Sequence, residues 1–516
     1  MSLLEAYVVM FIASFCSLVM EMVAGRILAP FVGVSIYTWT SIIGVILAGI
    51  SIGAYIGGKV VDRFPARKTL GILLLLSGLT SLTIIPLTDL VAAHRFPLSL
   101  MWRIFTVTAI IFFIPGCILG TISPVVVRLT LKSVEGAGNV VGKIYAVSTL
   151  GAIIGTFVTG FVLISLMGTR PIILSMGALL IVTAALVGAL FKARKAQAIF
   201  LVAMLVLLSV VYGFAHKPRL DPRYYYYKES DYYTLKLAKT QSPDGKTLRA
   251  LILDNLIHSY VCLEDPTHIE YEYERIYAEV MKWRFDQNTA FKSLSIGGGG
   301  YTFPRYMEIT YPNAQIDVAE IDPMITKVVY DQLGLPRSTR VRTYNTDGRW
   351  YVMNCAEKYD VIFTDAYNDL SIPYHLTTKE FVAQLKSIMT PDGIVVSNII
   401  DNFQRGAFLP SYIKTLQEVF GEKNVYLLSV SPDFENLRIS TFIVMASYRP
   451  LNMAEFDAWL KDHYRSEAKS AIVSDVLVQK LLMNPHAIVI RDDYAPVDNL
   501  IAPVFEERFG YNRKGR

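Results

Sequence analysis

The sequence has few charged residues and few cysteines. Only 18% of its 516 residues are charged, and four are cysteines, whereas about 25% of the residues of an average soluble protein are charged. Four cysteines in so long a chain exclude a small disulfide-rich scaffold, and a 53% hydrophobic composition excludes an intrinsically disordered chain. Cys16 and Cys117 fall in apolar segments. The sequence does not decide whether Cys262 and Cys355 form a disulfide.

The shortage of charge is confined to residues 1–215. This segment holds 14 Lys and Arg and 5 Asp and Glu, whereas residues 216–516 hold 35 and 39, about a quarter of their length as in soluble proteins. The sequence therefore predicts a membrane domain followed by a soluble domain. Because the basic excess lies in the apolar half, the net charge of +5 does not indicate nucleic-acid binding.

Seven apolar runs are long enough to cross about 30 Å of hydrocarbon. They lie near residues 6–24, 37–57, 69–88, 104–127, 144–166, 171–191 and 197–215. The first run has no basic flank and no cleavage site, so we interpret it as a span and not as a signal peptide. Residues 1–215 are thus predicted to form a multi-pass helical bundle in the inner or plasma membrane, surrounded by lipid, and residues 216–223 a linker.

The loops between the runs differ in charge. Loops 58–68, 128–143 and 192–196 carry ten Lys and Arg, and the loops on the opposite side carry four. This asymmetry predicts that the N-terminus is cytoplasmic, and seven spans would then place the soluble half outside. Glu21 lies within the first run, where a carboxyl is either a helix-packing contact or part of a substrate or ion pathway.

The soluble half begins with β-forming residues. Three β-forming segments predict a small β subdomain over residues 224–264. They are Tyr232–Ala238, Leu248–Leu253 and Leu256–Cys262. From residue 265 to 516, apolar strands alternate with helical segments, which predicts a doubly wound parallel sheet in a Rossmann-like α/β domain of the methyltransferase type.

A glycine-rich turn, Gly297-Gly298-Gly299-Gly300, ends the first strand of this domain. Such a turn lets the backbone approach a ligand closely. Glu320 ends the second strand, 23 residues after Gly297, and is placed to bind ribose hydroxyls; Asp347-Gly348 follow the third strand and suit adenine. No basic residue flanks the glycines, which favours an S-adenosyl sulfonium over a dinucleotide.

Asp365 ends the fourth strand, and ligands of this fold bind at the carboxyl ends of such strands. Its carboxylate could accept the proton of an attacking amine as a general base. The alternative is a cap of the following turn.

Together these motifs resemble the spermidine synthase family of polyamine aminopropyltransferases. Residues 228–398 carry the resemblance, and the whole chain resembles the bacterial branch with a fused multi-span membrane domain. A family motif of the β subdomain matches Leu253–His258, and a helix motif matches Tyr273-Glu274-Arg275. The resemblance implies that Glu320 holds the ribose and Asp347 the adenine, that His258 contacts the donor, that Asp365 is the base and that Tyr273 assists it.

The sequence departs from the family pattern at several sites. Gly300 replaces an Asp that contacts the donor's amine, Glu274 stands where His or Gln is usual, and His258 stands where Gln is usual. We expect Glu274, Asp369 and Tyr232 to bind the acceptor, in a pocket that differs from that of a soluble spermidine synthase.

The resemblance implies transfer of an aminopropyl group from decarboxylated S-adenosylmethionine to an amine such as putrescine, with release of methylthioadenosine. Two alternatives stay open: an S-adenosylmethionine-dependent amine methyltransferase, and a non-catalytic polyamine- or nucleoside-binding transporter or sensor. We expect no metal ion and no nucleic-acid partner, and a homodimer is compatible with the sequence. Since S-adenosyl donors are made in the cytosol, the chemistry favours a cytoplasmic domain, against the loop charges.

Overall fold

The computed structural model describes residues 1–92, 98–131, 133–191, 193–200, 202–203, 209, 222–367, 371–464 and 467–509. The chain divides into two compact units. The helical unit comprises Met1–Asp221 and Glu229–Tyr233, and the α/β unit comprises Pro222–Lys228 and Thr234–Arg516.

Among the described residues, the helical unit has six helices long and apolar enough to cross a membrane. They are α1 (Leu3–Val32), α2 (Ile36–Arg63), α3 (Arg67–Val91), α4 (Met101–Thr130), α5 (Ala137–Met167) and α6 (Thr169–Val187). The seventh predicted run, 197–215, lies largely outside the described residues.

Glycines let the helices of this unit approach closely. A Cβ atom on Gly151 would lie 2.4 Å from the backbone oxygen of Phe11, and one on Gly155 would lie 2.7 Å from that of Phe15. The backbones of α1 and α5 therefore touch along a Gly-x-x-x-Gly face. Helix α4 contains a π-helical turn at Ala109–Phe113, just before Pro115, where the sequence predicts a kink.

A four-stranded sheet precedes the larger domain. Its order is β1-β2-β3-β4, with β3 antiparallel to both β2 and β4. The strands are β1 (Tyr224–Glu229), β2 (Thr234–Gln241), β3 (Thr247–Leu253) and β4 (Leu256–Cys262).

The large sheet has eight strands in the order β12-β10-β11-β9-β8-β5-β6-β7. Strands β5 to β9 run parallel, whereas β10, β11 and β12 add an antiparallel edge, so the sheet is mixed and not uniformly parallel as predicted. The strands are β5 (Lys292–Ile296), β6 (Gln315–Ala319), β7 (Arg342–Tyr344), β8 (Tyr359–Thr364), β9 (Met389–Asp401), β10 (Val425–Ser429), β11 (Ser440–Ser447) and β12 (Ala471–Ile472).

Helices connect and flank these strands. They are α7 (Glu272–Arg284), α8 (Thr302–Thr310), α9 (Pro323–Gln332), α10 (Gly348–Asn354), α11 (Lys379–Ser387), α12 (Phe408–Phe420), α13 (Met453–Tyr464), α14 (Asp475–Leu482), α15 (Val497–Leu500) and α16 (Ala502–Phe509). The core is the middle of the sheet, where Leu294, Ile362 and Val395 are fully buried. Strand order reverses between β5 and β8, which creates a crevice at their carboxyl ends.

Candidate active site

The glycine turn follows β5 and lies against the end of β8. Gly297 has φ +97° and Gly299 φ +49°, and a Cβ atom on Gly297 would lie 2.4 Å from the backbone oxygen of Asp365. Only glycine combines this backbone conformation with so close an approach. The turn therefore brings bare backbone next to the strand end that carries Asp365.

Two side chains hold the backbone of the turn. The Gly298 N–H donates to Glu320 Oε2 at 2.8 Å, and the Gly300 N–H donates to Ser259 Oγ at 2.7 Å. A Cβ atom on Gly300 would lie 2.6 Å from Ser259 Cβ. Ser259, which the sequence did not single out, thus occupies the space that a side chain at position 300 would need.

Glu320 is buried beside the turn, with 5% of its surface exposed. Its second oxygen accepts the Asp322 N–H at 2.9 Å. Burial raises the pKa of Glu320 to about 7, although its backbone hydrogen bonds oppose this. Each carboxylate oxygen can accept a second hydrogen bond, so Glu320 is oriented and still able to bind a diol.

Both carboxylate oxygens of Asp347, the residue predicted to bind adenine, already have hydrogen-bond partners within the protein. One oxygen accepts the N–H groups of Arg349 and Trp350, both at 2.9 Å, as the N-cap of α10. The other oxygen lies 2.8 Å from His375 Nε2, and this hydrogen bond is the main cause that lowers the pKa of Asp347. The carboxylate predicted to bind adenine is thus already engaged by a helix N-terminus and a histidine.

Asp365 and Tyr273, the two predicted catalytic residues, lie together. Asp365 Oδ1 accepts a hydrogen bond from Asn398 Nδ2 at 2.9 Å, and the Tyr273 hydroxyl lies close enough to the same carboxyl to lower its pKa as a hydrogen-bond partner. Burial raises the pKa of Asp365, and the two hydrogen bonds oppose it. The result is a partly desolvated carboxyl with fixed orientation.

Several buried polar atoms near Asp365 have no hydrogen-bond partner among the described residues. They are Glu274 Oε2, the Tyr277 hydroxyl and Asn398 Oδ1. Burial, followed by the charge of Asp365, raises the pKa of Glu274 well above its usual range. Tyr277 and Asn398 are new here: Tyr277 lies one helical turn after Tyr273, and Asn398 lies on β9, beside the end of β8.

His258 lies on β4, next to Ser259. Its Nε2 atom is buried and has no hydrogen-bond partner in the described part of the chain, and burial lowers the pKa of the imidazole to about 4. The imidazole is therefore neutral at physiological pH.

Two other residues, Tyr232 and Asp369, are predicted to bind the acceptor. Tyr232 belongs to the segment that groups with the helical unit; it is 41% exposed, and its ring lies 6.3 Å from that of Tyr233. Asp369 lies outside the described residues. Both assignments stay predictions.

A cavity of about 330 Å³ opens next to Tyr273. Its walls combine tyrosine rings, acids and strand residues: Thr240, Gln241, Leu248, Tyr260, Glu270, Tyr271, Glu272, Tyr273, Val430 and Thr441. Tyr273, one of the wall residues, also lies near Asp365. Aromatic walls and acids suit an organic cation.

The described residues contain no group of His, Cys, Asp and Glu that could hold a metal ion. All four cysteines are among them and are free, so the disulfide between Cys262 and Cys355 that the sequence left open is not formed.

Comparison with known proteins gives matches in the α/β unit and along the whole chain. Residues 281–453 match the family described as "Spermine/spermidine synthase domain". The chain is 32% identical over 132 residues to the polyamine aminopropyltransferase of Vibrio vulnificus, an alignment that covers 25% of this chain and 43% of that protein. The chain thus spans less than half the length of this relative.

Two further relatives differ in coverage and in name. The chain is 21% identical over 476 residues to polyamine aminopropyltransferase 2 of Aquifex aeolicus, which covers 89% of this chain and 91% of that protein. It is 31% identical over 123 residues to the eEF1A lysine and N-terminal methyltransferase of Bos taurus, which covers 22% of this chain and 18% of that protein.

Proposed function

We propose that the chain is a polyamine aminopropyltransferase of the spermine/spermidine synthase family, whose domain matches residues 281–453. It would transfer an aminopropyl group from decarboxylated S-adenosylmethionine to an amine such as putrescine. The observation that carries this proposal is the position of Asp365, which Asn398 and Tyr273 hold beside the glycine turn at the carboxyl end of β8.

The reaction needs a base because the acceptor arrives as an ammonium ion, with a pKa near that of Lys, about 10.4. The Asp365 carboxylate takes one proton from this nitrogen. The freed lone pair attacks the sulfonium-bound carbon of the aminopropyl group, the new C–N bond forms, and the C–S pair returns to sulfur as methylthioadenosine. The product nitrogen is a secondary ammonium, and Asp365 releases its proton to water.

The residues of the crevice fit a nucleoside donor. The turn at Gly297–Gly300 presents backbone without side chains, Glu320 has unused acceptor capacity for ribose hydroxyls, and the neutral His258 has a free Nε2 atom. The donor supplies the sulfonium-activated carbon, and these residues bind and orient it.

A second candidate is methyl transfer from S-adenosylmethionine to an amine. Two observations favour it: position 300 lacks an acid and has no room for one beside Ser259, and one relative is a methyltransferase. Both reactions leave the acceptor's proton on Asp365, so the base does not discriminate between them.

The identity of the donor distinguishes aminopropyl transfer from methyl transfer. Purified full-length protein in detergent is incubated with each donor and with putrescine, spermidine or other amines, and products are identified by mass spectrometry. Methylthioadenosine and an aminopropylated amine support the proposal, whereas S-adenosylhomocysteine and a methylated amine support the second candidate. Tight nucleoside binding without turnover of any amine would favour the sensor.

We also propose that the helical unit is embedded in the membrane, with the N-terminus and residues 229–233 on opposite sides. At one end of this unit, Arg67 pairs with Glu5 at 2.5 Å. At the other end, where α6 begins, the Thr169 N–H donates to Glu229 at 2.8 Å, and Arg26 donates to the Asp231 carbonyl at 2.7 Å. The basic loops belong to the first end, which supports a cytoplasmic N-terminus.

Cysteine labelling in intact cells tests this orientation. Asp231→Cys and Val134→Cys place one thiol at each end, since Val134 is exposed between α4 and α5. The background carries Ser at Cys117 and Cys355, the two cysteines that are not buried. An impermeant maleimide should label position 231 in intact cells and position 134 only after lysis; the reverse pattern would refute the orientation.

A further inference from the structure

Glu274 is a buried acid without a structural task. It lies in the first turn of α7 and is 5% exposed, and its Oε2 atom has no hydrogen-bond partner among the described residues. Buried polar groups are nearly always hydrogen-bonded, and a buried carboxyl is costly when it is not. A carboxyl kept in this state is a candidate for ligand binding.

A second acid of the same helix shows what a structural role looks like. Glu279 is 3% exposed, and its two oxygens accept the N–H of Lys469 at 2.7 Å and the N–H and hydroxyl of Ser470 at 2.8 and 2.5 Å. Glu279 therefore ties α7 to a distant segment. Glu274 has no comparable set of donors, so packing alone does not account for its burial.

The surroundings of Glu274 define the chemistry of a ligand. Asp365 is close enough to act on it electrostatically, and within the described part of the chain the Tyr277 hydroxyl and Asn398 Oδ1 also have no hydrogen-bond partner. Tyr277 contacts Phe363 of β8, with ring centroids 4.9 Å apart, so this helix face lies against the strand that carries Asp365. Two carboxyls repel an anion, whereas an ammonium offers three N–H donors to such acceptors.

We propose that Glu274 binds an ammonium group of the amine acceptor and orients its nitrogen towards Asp365. The substrate class is a primary alkylamine that arrives protonated. This inference rests on the proposed function, because it assigns a binding residue to the acceptor of that reaction. Glu274 is a specificity-determining residue in this scheme, and Asp365 remains the base.

Proton release accompanies this binding. Burial and, after it, the charge of Asp365 raise the pKa of Glu274, so an empty site favours the protonated carboxyl. An entering ammonium favours the ionised form, and one proton leaves to solvent. The tyrosines that face Glu274 from its own helix, Tyr271, Tyr273 and Tyr277, have pKa values raised by burial and stay neutral.

Glu274→Gln tests the proposal, since it removes the charge and keeps the shape. We expect the KM for the amine to rise by about ten-fold or more, as for loss of a hydrogen bond between charged groups, while the Kd of the donor changes less than about two-fold. Calorimetry in buffers of different ionisation enthalpy should show that proton release on amine binding is lost. Glu274→Asp, which keeps the charge, should restore part of the affinity.

The control is Asp286→Asn, which removes an exposed acid just after the same helix and outside the cavity walls, and it should leave proton release unchanged. The proposal is overturned if Glu274→Gln binds the amine with wild-type KM and proton release, or if the control has the same effect. Amine binding to the methylthioadenosine complex is measured as well. That arm tests Glu274 even if the wild-type enzyme transfers methyl groups or proves catalytically silent.

Discussion

Replacing Asp365 with Asn tests the proposed base most directly. The amide keeps the size of the side chain and can still contact Asn398, but it cannot take up a proton. General base catalysis typically contributes about 10²- to 10⁴-fold. The kcat for amine transfer should therefore fall by about this factor, which corresponds to about 2.7–5.4 kcal/mol of activation free energy.

The stability of this variant should not fall with its activity. Burial raises the pKa of Asp365, so the folded chain binds the proton more tightly than the unfolded chain. The resulting contribution to stability is present at low pH and is lost as pH rises through the folded-state pKa. Since Asn carries no charge at any pH, Asp365→Asn should melt at or above the wild-type temperature under alkaline conditions.

The test measures initial rates of the purified wild type and of Asp365→Asn across a pH series. Calorimetry gives the affinity of each protein for the donor. The wild-type rate should rise as Asp365 ionises, and the variant should lack this rise. The control is Asp360→Asn at the other end of β8, where the carboxyl accepts the Lys292 N–H at 2.8 Å and the Thr390 hydroxyl at 2.9 Å. An unchanged kcat, or a loss of donor binding that equals the loss of kcat, would refute the assignment.

Two further predictions concern the glycine turn. Gly300→Ala should lower the melting temperature and reduce the free energy of unfolding by about 1–3 kcal/mol, because its Cβ would lie 2.6 Å from Ser259 Cβ. Adding Ser259→Gly should recover part of this loss. A Gly300→Ala variant as stable as the wild type would show that the turn adapts. Wild-type donor affinity should increase as pH rises past the Glu320 pKa of about 7, since the carboxylate is the better acceptor for ribose hydroxyls. Glu320→Gln should bind the donor more weakly and with a flat pH profile in the same calorimetric titration.

The sequence predicts which candidate residues lie at strand ends because its motifs stand there. Glu320 and Asp365 each follow a short apolar strand, and the parallel register of β6, β5 and β8 brings their carboxyl ends to one edge. In the β subdomain, the predicted segments Leu248–Leu253 and Leu256–Cys262 agree with β3 and β4 to within one residue. The antiparallel edge was not predicted, because strand direction depends on long connections that carry no local signal.

What the sequence could not predict depends on contacts between distant residues. His375, 28 residues after Asp347, bonds the carboxylate that was assigned to adenine. Ser259 fills the space beside Gly300, although the two residues are 41 positions apart in the sequence. A departure from a family motif at position 300 was readable from the sequence, but its steric reason required the packing of β4 against the turn.

The chain buries acids in two different ways. One kind has a full set of hydrogen bonds and a structural role, and the other kind belongs to the candidate active site. Asp317 is fully buried, yet Arg342 donates to both of its oxygens at 2.6 Å, and the Tyr359 hydroxyl adds a third bond at 2.8 Å. Asp365 has only neutral donors, and Glu274 has an oxygen with none. Because the same fold can satisfy a buried carboxyl completely, the incomplete satisfaction of these two is a property of the site. In the proposed reaction, an ammonium would supply a positive charge to both carboxyls and a donor to the unpaired oxygen of Glu274, which is why we propose an amine and not a neutral or anionic acceptor.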